Sequence, residues 1–358
     1  MSKIKFAIIG AGWRTDFFMR IAQALPERFV VTGVLVRNAE KRAAFAARWG
    51  VPVTDSLDGL LATPVTPAFA VVSVPWEAAP GLLFACTERG LPVLCETPPA
   101  PDLAGLLSIM PLVENDAKIQ VAEQYPFQPL IAARLAVVAS GRMGSVSQAQ
   151  VSMAHGYHGF NVMRQLLGVG IGTVTLHARN FVSPLLQGPS RLGPPKAEVV
   201  ENDEQTIAQL DFHTGQLGIL DFTGAQYRSA IRAHRMLVRG ERGEMDQHEV
   251  RWLADFATPL SAPLRRMDAG QGGNLEGYYH KGYTLGAEWL YRNPFEPARL
   301  HDDEIAIAEC LVRMATYVDG GPSFMGLREA SHDHYLYLLM LESAKSGERV
   351  KTERQPWM

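Results

Sequence analysis

The chain has 358 residues, which allows two domains with a large buried core. Its formal net charge of −3 argues against a nucleic-acid-binding protein, since such proteins usually carry a basic face. A strand pattern begins almost at once, and no apolar run approaches the about 18 residues of a membrane span, so we expect no membrane association. The three cysteines are too few and too scattered for a disulfide framework, which favours a reducing cytoplasm.

The first third of the chain alternates between strand-length apolar runs and helical segments. This alternation is typical of a parallel sheet covered by helices on both faces. The predicted strands are Ile4–Ile9, Val30–Val36, Ala68–Val74, Leu91–Cys95 and Lys118–Ala122. The predicted helices are Asp16–Leu25, Ala39–Trp49, Pro80–Arg89 and Leu103–Asn115.

From residue 125 onward the pattern changes to alternating strands, which indicates a large, mostly antiparallel sheet in an α+β domain. The predicted strands are Ser145–Met153, Thr173–Asn180, Thr206–Phe212, Leu217–Thr223, Ala230–Arg239 and Met245–Leu253, and the predicted helices are Pro129–Ser140, Asp302–Val318 and Leu327–Ser346. Ser183–Pro195 and Pro259–Gly277 are predicted as long loops, of the kind that often form lids or contact substrate. We therefore predict an α/β protein with a Rossmann domain over residues 1–124 and a substrate-binding and oligomerisation domain over residues 125–358.

A glycine-rich turn follows the first strand and precedes the first helix. It reads Gly10-Ala11-Gly12-Trp13-Arg14-Thr15. Gly10 permits the tight turn, and Gly12 lets the backbone approach a pyrophosphate at the helix N-terminus. Thr15 stands where the usual third glycine would be. The motif predicts dinucleotide binding, with Trp13 and Arg14 beside the cofactor.

In such folds the residue at the end of the second strand contacts the adenosine ribose. An acidic residue there binds the 2′-hydroxyl, whereas arginine accommodates a 2′-phosphate. Here the strand ends at Arg37, with Lys41 and Arg42 close behind. We therefore expect NADP or NAD, with NADP favoured.

Four further landmarks resemble the Gfo/Idh/MocA family (glucose–fructose oxidoreductase, inositol dehydrogenase and relatives). Ser73-Val74-Pro75 is similar to the family's turn over the nicotinamide ribose, and Glu96-Thr97-Pro98 resembles its Glu-Lys-Pro signature. Gln124–Pro129 resembles its junction into the second domain. The segment from His155 to Asn161, which contains HGYHG, resembles the helix with its catalytic histidine.

The resemblance implies residue roles at the matching positions. Ser73, Val74, Pro75, Glu96, Thr97 and Gln124 would bind the cofactor. His158 falls on the catalytic histidine. Thr97 replaces the family's lysine, and Ala154 replaces an aspartate that is expected four residues before the histidine.

His158 is able to take a hydroxyl proton unaided, because imidazole titrates near neutral pH. His155 and Tyr157 lie in the same turn and are predicted to orient it or to relay the proton. His155 and His158 offer two candidate ligands for a metal, since residues three apart share a helical face. No third ligand is evident nearby, so we predict no metal.

A second aromatic and basic cluster precedes the C-terminal helices. It contains Tyr278, His280, Lys281 and Tyr283, bracketed by Gly277 and Gly282. Such rings suit hydrogen bonding and stacking to a sugar-like substrate, and Lys281 offers a replacement for the missing charge. Together with Tyr125 they are predicted to bind substrate; a packed surface loop is the alternative interpretation.

The leading hypothesis is an NAD(P)-dependent oxidoreductase acting on a sugar, cyclitol or related polyol. A redox-neutral glycosidase or lyase that uses its retained cofactor transiently is the first alternative. A non-catalytic nucleotide-binding sensor or partner subunit is the second, because Thr97 and Ala154 replace two catalytic positions. We also expect a homo-oligomer, a dimer or tetramer, formed through the C-terminal sheet.

Overall fold

The computed structural model describes residues 3–273 and 275–358. Its N-terminal strands are β1 (Ile4–Ile9), β2 (Phe29–Leu35), β3 (Val53–Thr54), β4 (Phe69–Val72), β5 (Val93–Cys95) and β6 (Ile119–Val121). They pair in parallel in the order β3-β2-β1-β4-β5-β6. This is the Rossmann order, in which the direction of winding reverses between β1 and β4. The predicted parallel sheet is confirmed.

Helices cover both faces of this sheet. They are α1 (Thr15–Ala24), α2 (Ala39–Trp49), α3 (Leu57–Leu61), α4 (Ala79–Thr87), α5 (Leu103–Ser108) and α6 (Met110–Glu114). The helix predicted over Leu103–Asn115 is therefore two helices, interrupted at Ile109. Pro111 explains the break, because proline lacks an amide hydrogen and is accommodated only in the first turn of the new helix.

The C-terminal sheet is large and mostly antiparallel, as predicted. Its strands are β7 (Val146–Ser152), β8 (Thr175–Leu186), β9 (Val200–Asp211), β10 (Leu217–Thr223), β11 (Arg235–Gly240), β12 (Gly243–Asp246), β13 (Glu249–Leu253), β14 (Pro259–Ala269), β15 (Tyr279–Leu285), β16 (Glu288–Arg292) and β17 (Val350–Lys351). They lie in the order β16-β15-β14-β13-β12-β11-β7-β10-β9-β8-β17. Among the described strands of this sheet, only β7 and β10 pair in parallel.

In this half, several strand and loop boundaries differ from those predicted from the sequence. Pro259–Gly277 was predicted as a loop, but its first eleven residues form β14. Most of β14 is exposed, so it lacks the apolar alternation that marks a strand. The segment predicted as one strand over Met245–Leu253 is a hairpin of β12 and β13, with Gln247 in a left-handed turn conformation (φ 58°). The loop predicted from Ser183 begins after Leu186, where β8 ends.

Four helices complete the fold: α7 (Pro129–Ala139), α8 (Gly156–Leu167), α9 (Asp302–Val318) and α10 (Leu327–Ser346). Helix α8 packs closely on β10, because a Cβ placed at Gly159 would lie 2.5 Å from the Leu220 side chain. Helices α9 and α10 share hydrophobic cores with the N-terminal sheet. The predicted division at residue 124 follows the end of β6 and remains a prediction, since α9 and α10 come from the predicted second domain but share hydrophobic cores with the N-terminal sheet.

Candidate active site

The site lies at the carboxyl end of the parallel sheet, beside β1 and β4, where the direction of winding reverses. Open α/β sheets bind ligands in the crevice at this reversal point. The glycine loop follows β1, Ser73 follows β4, and Glu96 follows β5. The topology thus brings together the predicted cofactor residues from three separate strands.

The glycine loop has the shape that a dinucleotide requires. Gly10 has φ +118°, and a Cβ there would lie 2.0 Å from the Ser73 carbonyl oxygen, so no other residue fits. The Thr15 hydroxyl donates to the Gly10 carbonyl at 3.1 Å and holds the turn. A Cβ placed on Gly12 meets no atom within 4 Å, which leaves its backbone open to a phosphate.

Arg14 and Glu96 connect this loop to the end of β5. Arg14 Nε lies 3.2 Å from Glu96 Oε2, and the two side chains are only 17% and 14% exposed. Burial raises the pKa of the Glu96 carboxyl, while the Arg14 charge opposes that rise. Glu96 therefore has a buried cation as its partner in the protein, which the sequence motifs did not predict.

Gln124 supplies a polar atom with no partner in the described protein. Its side-chain oxygen is buried and accepts no hydrogen bond from the described residues. Buried polar groups are usually paired, so such an atom at the end of β6 indicates a ligand-facing position. The open Gly12 backbone and the Gln124 oxygen together fit a bound dinucleotide.

The structure gives less support to the 2′-phosphate site that the sequence predicts at the end of β2. Arg42 donates to the carbonyls of Val36 and Arg37 and lies 3.4 Å from Asp55. Arg37 itself is exposed just after β2. Val74 and Pro75 follow Ser73 at the surface of the cleft, and the 49% exposed Trp13 lies at its rim.

The central contact of the site joins α8 to the end of β6. His158 Nδ1 lies 2.6 Å from Glu123 Oε2, and the two side chains are 6% and 2% exposed. The other carboxylate oxygen of Glu123 accepts the Tyr125 backbone amide at 3.2 Å. Glu123 was not among the predicted site residues. Its sequence signal was a carboxylate directly after a buried strand.

The electrostatics of this pair follow from its burial. Burial raises the pKa of the Glu123 carboxyl to about 8. Burial, followed by the positive charge of Arg14, lowers the pKa of His158 to about 3. The surrounding titratable groups are Arg14, Glu96, Asp303, His155, Tyr125 and Tyr157. At neutral pH the pair therefore holds one proton.

The other two predicted catalytic residues lie against His158. His155 is the N-cap residue of α8, and its ring lies 4.8 Å from that of His158. Burial lowers the pKa of His155 to about 3. The Thr97 side chain lies beside the Tyr157 hydroxyl, and burial raises the pKa of that hydroxyl. A tyrosine thus stands beside the position where the family resemblance expects lysine.

Tyr227 completes the site and was missed by the sequence analysis. It ends a short 3-10 turn after β10, where no motif marks it. Its hydroxyl lies 2.5 Å from His155 Nδ1 and 3.4 Å from the Tyr125 hydroxyl. Tyr125 in turn packs its ring 4.4 Å from the His158 ring. Phenol and imidazole groups therefore form the wall of the pocket beside His158.

The predicted substrate cluster before α9 has other contacts. His280 is buried and pairs with Asp268 at 2.8 Å, Lys281 pairs with Glu276 at 2.8 Å, and the Tyr283 hydroxyl accepts from Arg266. The expected loop is mostly the strand β15, whose alternating side chains pack against its neighbours. Tyr278 precedes this strand and is 61% exposed. None of the contacts described for these four residues reaches the His158 pocket.

The described residues contain no group of three or more histidine, cysteine or acidic side chains suited to holding a metal ion. Within residues 3–273 and 275–358, no helix is both long and apolar enough to cross a bilayer. Cys86, Cys95 and Cys310 are buried free thiols.

Comparison with solved structures supports this fold over nearly the whole chain. An oxidoreductase from Agrobacterium radiobacter in complex with NAD+, L-tartaric acid and magnesium is 17% identical, with 97% of this chain and 98% of that chain covered and a TM-score of 0.68. A putative myo-inositol dehydrogenase from Sinorhizobium meliloti is 17% identical, with coverages of 97% and 99% and a TM-score of 0.64. A levoglucosan dehydrogenase in complex with NADH and levoglucosan is 15% identical, with coverages of 98% and 100% and a TM-score of 0.68.

At these identities the structures establish a shared fold. A search of curated proteins finds no match. Residues 4–124 match the Gfo/Idh/MocA family model, which is described as an oxidoreductase family with an NAD-binding Rossmann fold. The part of the chain that this model matches is therefore similar to the NAD-binding Rossmann domain of the Gfo/Idh/MocA oxidoreductase family.

Proposed function

We propose that the protein is an NAD(P)-dependent oxidoreductase that interconverts a hydroxyl and a carbonyl group on a sugar, cyclitol or related polyol. The observation that carries the proposal is the buried 2.6 Å contact between His158 and Glu123 at the carboxyl end of the parallel sheet. A pair that holds one titratable proton is what alcohol oxidation needs beside a hydride acceptor.

A bound nicotinamide supplies hydride exchange with the substrate carbon, and the protein must handle the accompanying proton. In the base form of the pair, ionised Glu123 accepts a hydrogen bond from His158 Nδ1, and Nε2 is left to take the hydroxyl proton. In the reverse direction, Nε2 donates that proton to the forming alkoxide. Glu123 fixes the ring and offsets the charge that His158 gains, which replaces part of the role of the absent lysine.

The substrate class is supported by the groups around His158. Tyr125, Tyr157 and Tyr227 present hydroxyls, and His155 presents an imidazole, so several polar groups converge on the pocket. Such groups suit a ligand with several hydroxyls. The levoglucosan and myo-inositol dehydrogenases that share the fold add support for a sugar or polyol. We accordingly assign substrate contacts to Tyr125 and Tyr227 in preference to the His280 cluster.

Two further assignments belong to this proposal. Exposed Arg37 at the tip of β2 favours NADP over NAD, and the ratio of the two dissociation constants measures that preference. The buried free cysteines and the absence of a membrane-spanning helix among the described residues support a cytoplasmic location.

The test is turnover by the purified protein with NAD+ or NADP+ and a panel of polyols and keto-sugars, followed by nicotinamide absorbance. We expect turnover that falls by at least about 100-fold in His158→Ala, the scale of a lost general base. His248→Ala is the matched control, since His248 is exposed in the turn between β12 and β13, and should leave turnover unchanged.

The alternatives give different outcomes in the same assay. Substrate conversion with no net change in nicotinamide absorbance, from protein that keeps its cofactor, would establish the redox-neutral glycosidase or lyase. Binding of cofactor with no conversion of any substrate would favour the sensor or partner subunit. If Thr97→Lys then creates dehydrogenase activity in an inert wild type, the natural protein has lost the reaction.

A further inference from the structure

The connection between β8 and β9, residues 187–199, crosses from the C-terminal sheet to the glycine loop. At its tip, Arg191 places its guanidinium carbon 3.8 Å from the centre of the Trp13 ring. Trp13 directly follows Gly12, and its ring also packs edge-on against Phe17 of α1. A loop that was predicted as a possible lid therefore touches the rim of the cofactor cleft.

The base of this connection is anchored against the segment that follows the 3-10 turn of Tyr227. The Gln187 amide donates to the Val199 carbonyl at 2.8 Å, which extends the pairing of β8 with β9 to the first residue of the connection. A Cβ placed on Gly188 would lie 3.3 Å from Ser229 Cα, so the loop backbone packs closely there. Ser229 lies two residues beyond Tyr227 of the active site. The connection thus runs from the segment that follows Tyr227 to the glycine loop.

The tip of the loop forms a hydrogen-bonded turn, and the charge of Arg191 has no ion-pair partner among the described residues. Ser190 and Gly193 exchange backbone hydrogen bonds of 2.9 and 3.2 Å across the turn that presents Arg191. No ion pair joins Arg191 to a carboxylate within residues 3–273 and 275–358. An arginine stacked on an aromatic ring uses its face for that contact and keeps its N–H edge free for a bidentate acceptor.

From this placement we propose that Arg191 binds the phosphate groups of the bound dinucleotide from the C-terminal half of the protein. The proposal rests on cofactor binding at the glycine loop, but not on the polyol chemistry. A pyrophosphate lying on the Gly12–Trp13 backbone would have Arg191 above it, and guanidinium and phosphate form paired, charge-assisted hydrogen bonds. The loop then covers the cofactor and slows its release.

Arg191 could contact a dinucleotide at either of two phosphate groups. One is the pyrophosphate, which both cofactors carry, and the other is the 2′-phosphate, which only NADP carries. The test measures dissociation constants of NADH and NADPH by nucleotide fluorescence, for the wild type and for Arg191→Ala. ADP-ribose, which carries the pyrophosphate without nicotinamide, is titrated in competition. Lys196→Ala removes the same charge from the same loop and is the matched control.

We expect Arg191→Ala to raise the dissociation constants of NADH, NADPH and ADP-ribose alike, by about tenfold or more, as for a lost hydrogen bond to a charged group. Arg191→Lys should fall between, because lysine keeps the charge but loses the planar fork. Lys196→Ala should change each constant by less than about twofold. Thermal unfolding of the same variants excludes misfolding as the cause.

Two results would overturn the assignment to the pyrophosphate. A weakening confined to NADPH would place Arg191 at the 2′-phosphate. Equal affinities in the wild type and Arg191→Ala would mean that the stacking on Trp13 is only a surface contact. Because the readout is binding alone, failure of the polyol hypothesis leaves this test intact.

Discussion

Thr97 and Ala154 stand where the family resemblance expects lysine and aspartate, and their surroundings explain how both are tolerated. Ala154 is fully buried, and its carbonyl closely approaches Gly159, so an aspartate there would be a buried charge in a hydrophobic core. Thr97 contacts the Tyr157 hydroxyl. The titratable carboxylate beside His158 comes instead from Glu123, which follows β6.

The sign of the pH dependence follows from this pair. Deprotonation of the pair creates the base form, so oxidation of a hydroxyl should rise with pH through an apparent pKa of about 8, and reduction of a carbonyl should fall through it. Glu123→Gln keeps the shape of the side chain but removes the titrating carboxyl. We expect the inflection near that pH to disappear and the rate to fall by about 10²-fold or more. Rate profiles from pH 5 to 10, at roughly saturating cofactor, check this.

Glu304→Gln is the control for this experiment. Glu304 is also a buried carboxylate, but it pairs with Arg20 at 2.6 Å and caps α9, and glutamine preserves the cap. Its pH profile should match that of the wild type. A Glu123→Gln profile with an unchanged inflection would assign the titration to another group and leave Glu123 with a purely structural role.

At the scale of elements, the sequence predicted what is encoded locally and missed what depends on long-range contacts. The glycine loop, the residues after β4 and β5, and α8 each carry a motif within a few neighbouring residues. Glu123 contacts His158 although the two are 35 positions apart in the sequence. Tyr227 contacts His155 across 72 positions. No local pattern marks such pairs, because only the packing of α8 against the segments that follow β6 and β10 creates them.

Gly10 and Gly12 both lie in the turn between β1 and α1, but each is glycine for a different reason. The sequence alone does not distinguish the two reasons. Gly10→Ala puts a Cβ 2.0 Å from the Ser73 carbonyl at φ +118°, so the backbone must shift. We expect the free protein to lose at least about 2 kcal/mol of unfolding free energy through this strain. Gly12→Ala adds a methyl group into open space, so its free protein should unfold within about 0.5 kcal/mol of the wild type.

Cofactor titration completes the comparison. The Gly12→Ala methyl group projects where the backbone must approach the pyrophosphate, so its affinity for NADH should fall despite unchanged stability. Chemical denaturation and cofactor binding, measured on both variants, separate the two effects. An unstable Gly12→Ala, or a Gly10→Ala as stable as the wild type, would contradict the assigned roles.

At the scale of the whole molecule, the two sheets are joined by the C-terminal helices as well as by the chain crossing after β6. Helix α9 packs in the same core as β1 and β4, and α10 lies against both sheets. The Asp303 side chain of α9 accepts from Gln128 at 2.6 Å, near the pocket. The chain after β6, helix α9 and helix α10 therefore all fix one sheet against the other, which suits the fixed geometry that the proposed His158–Glu123 pair requires.

The helices cover one face of the C-terminal sheet, and the other face carries exposed apolar side chains. Along β8 and β9, buried residues alternate with exposed ones, and Phe181 and Ile207 are 39% and 43% exposed on the open face. Complete burial of such a side chain contributes about 1.5–3 kcal/mol, so covering the exposed two-fifths of each contributes roughly 1 kcal/mol when a second copy packs on this face. We expect a homo-oligomer formed through this surface, a dimer or tetramer.

Ile207→Glu should dissociate that assembly, because a buried interface would have to take up unpaired charges from both copies. Light scattering coupled to size exclusion, over a range of concentrations, measures the mass. Leu107→Glu is the matched control: Leu107 is 40% exposed on α5 of the N-terminal domain, far along the chain from the open face, and its variant should keep the wild-type mass. A wild type that is monomeric at every concentration would contradict the expectation. An Ile207→Glu variant that retains the full assembly would place the interface on another surface, since a single glutamate at the centre of a two-fold contact is repeated by symmetry and its cost is counted twice.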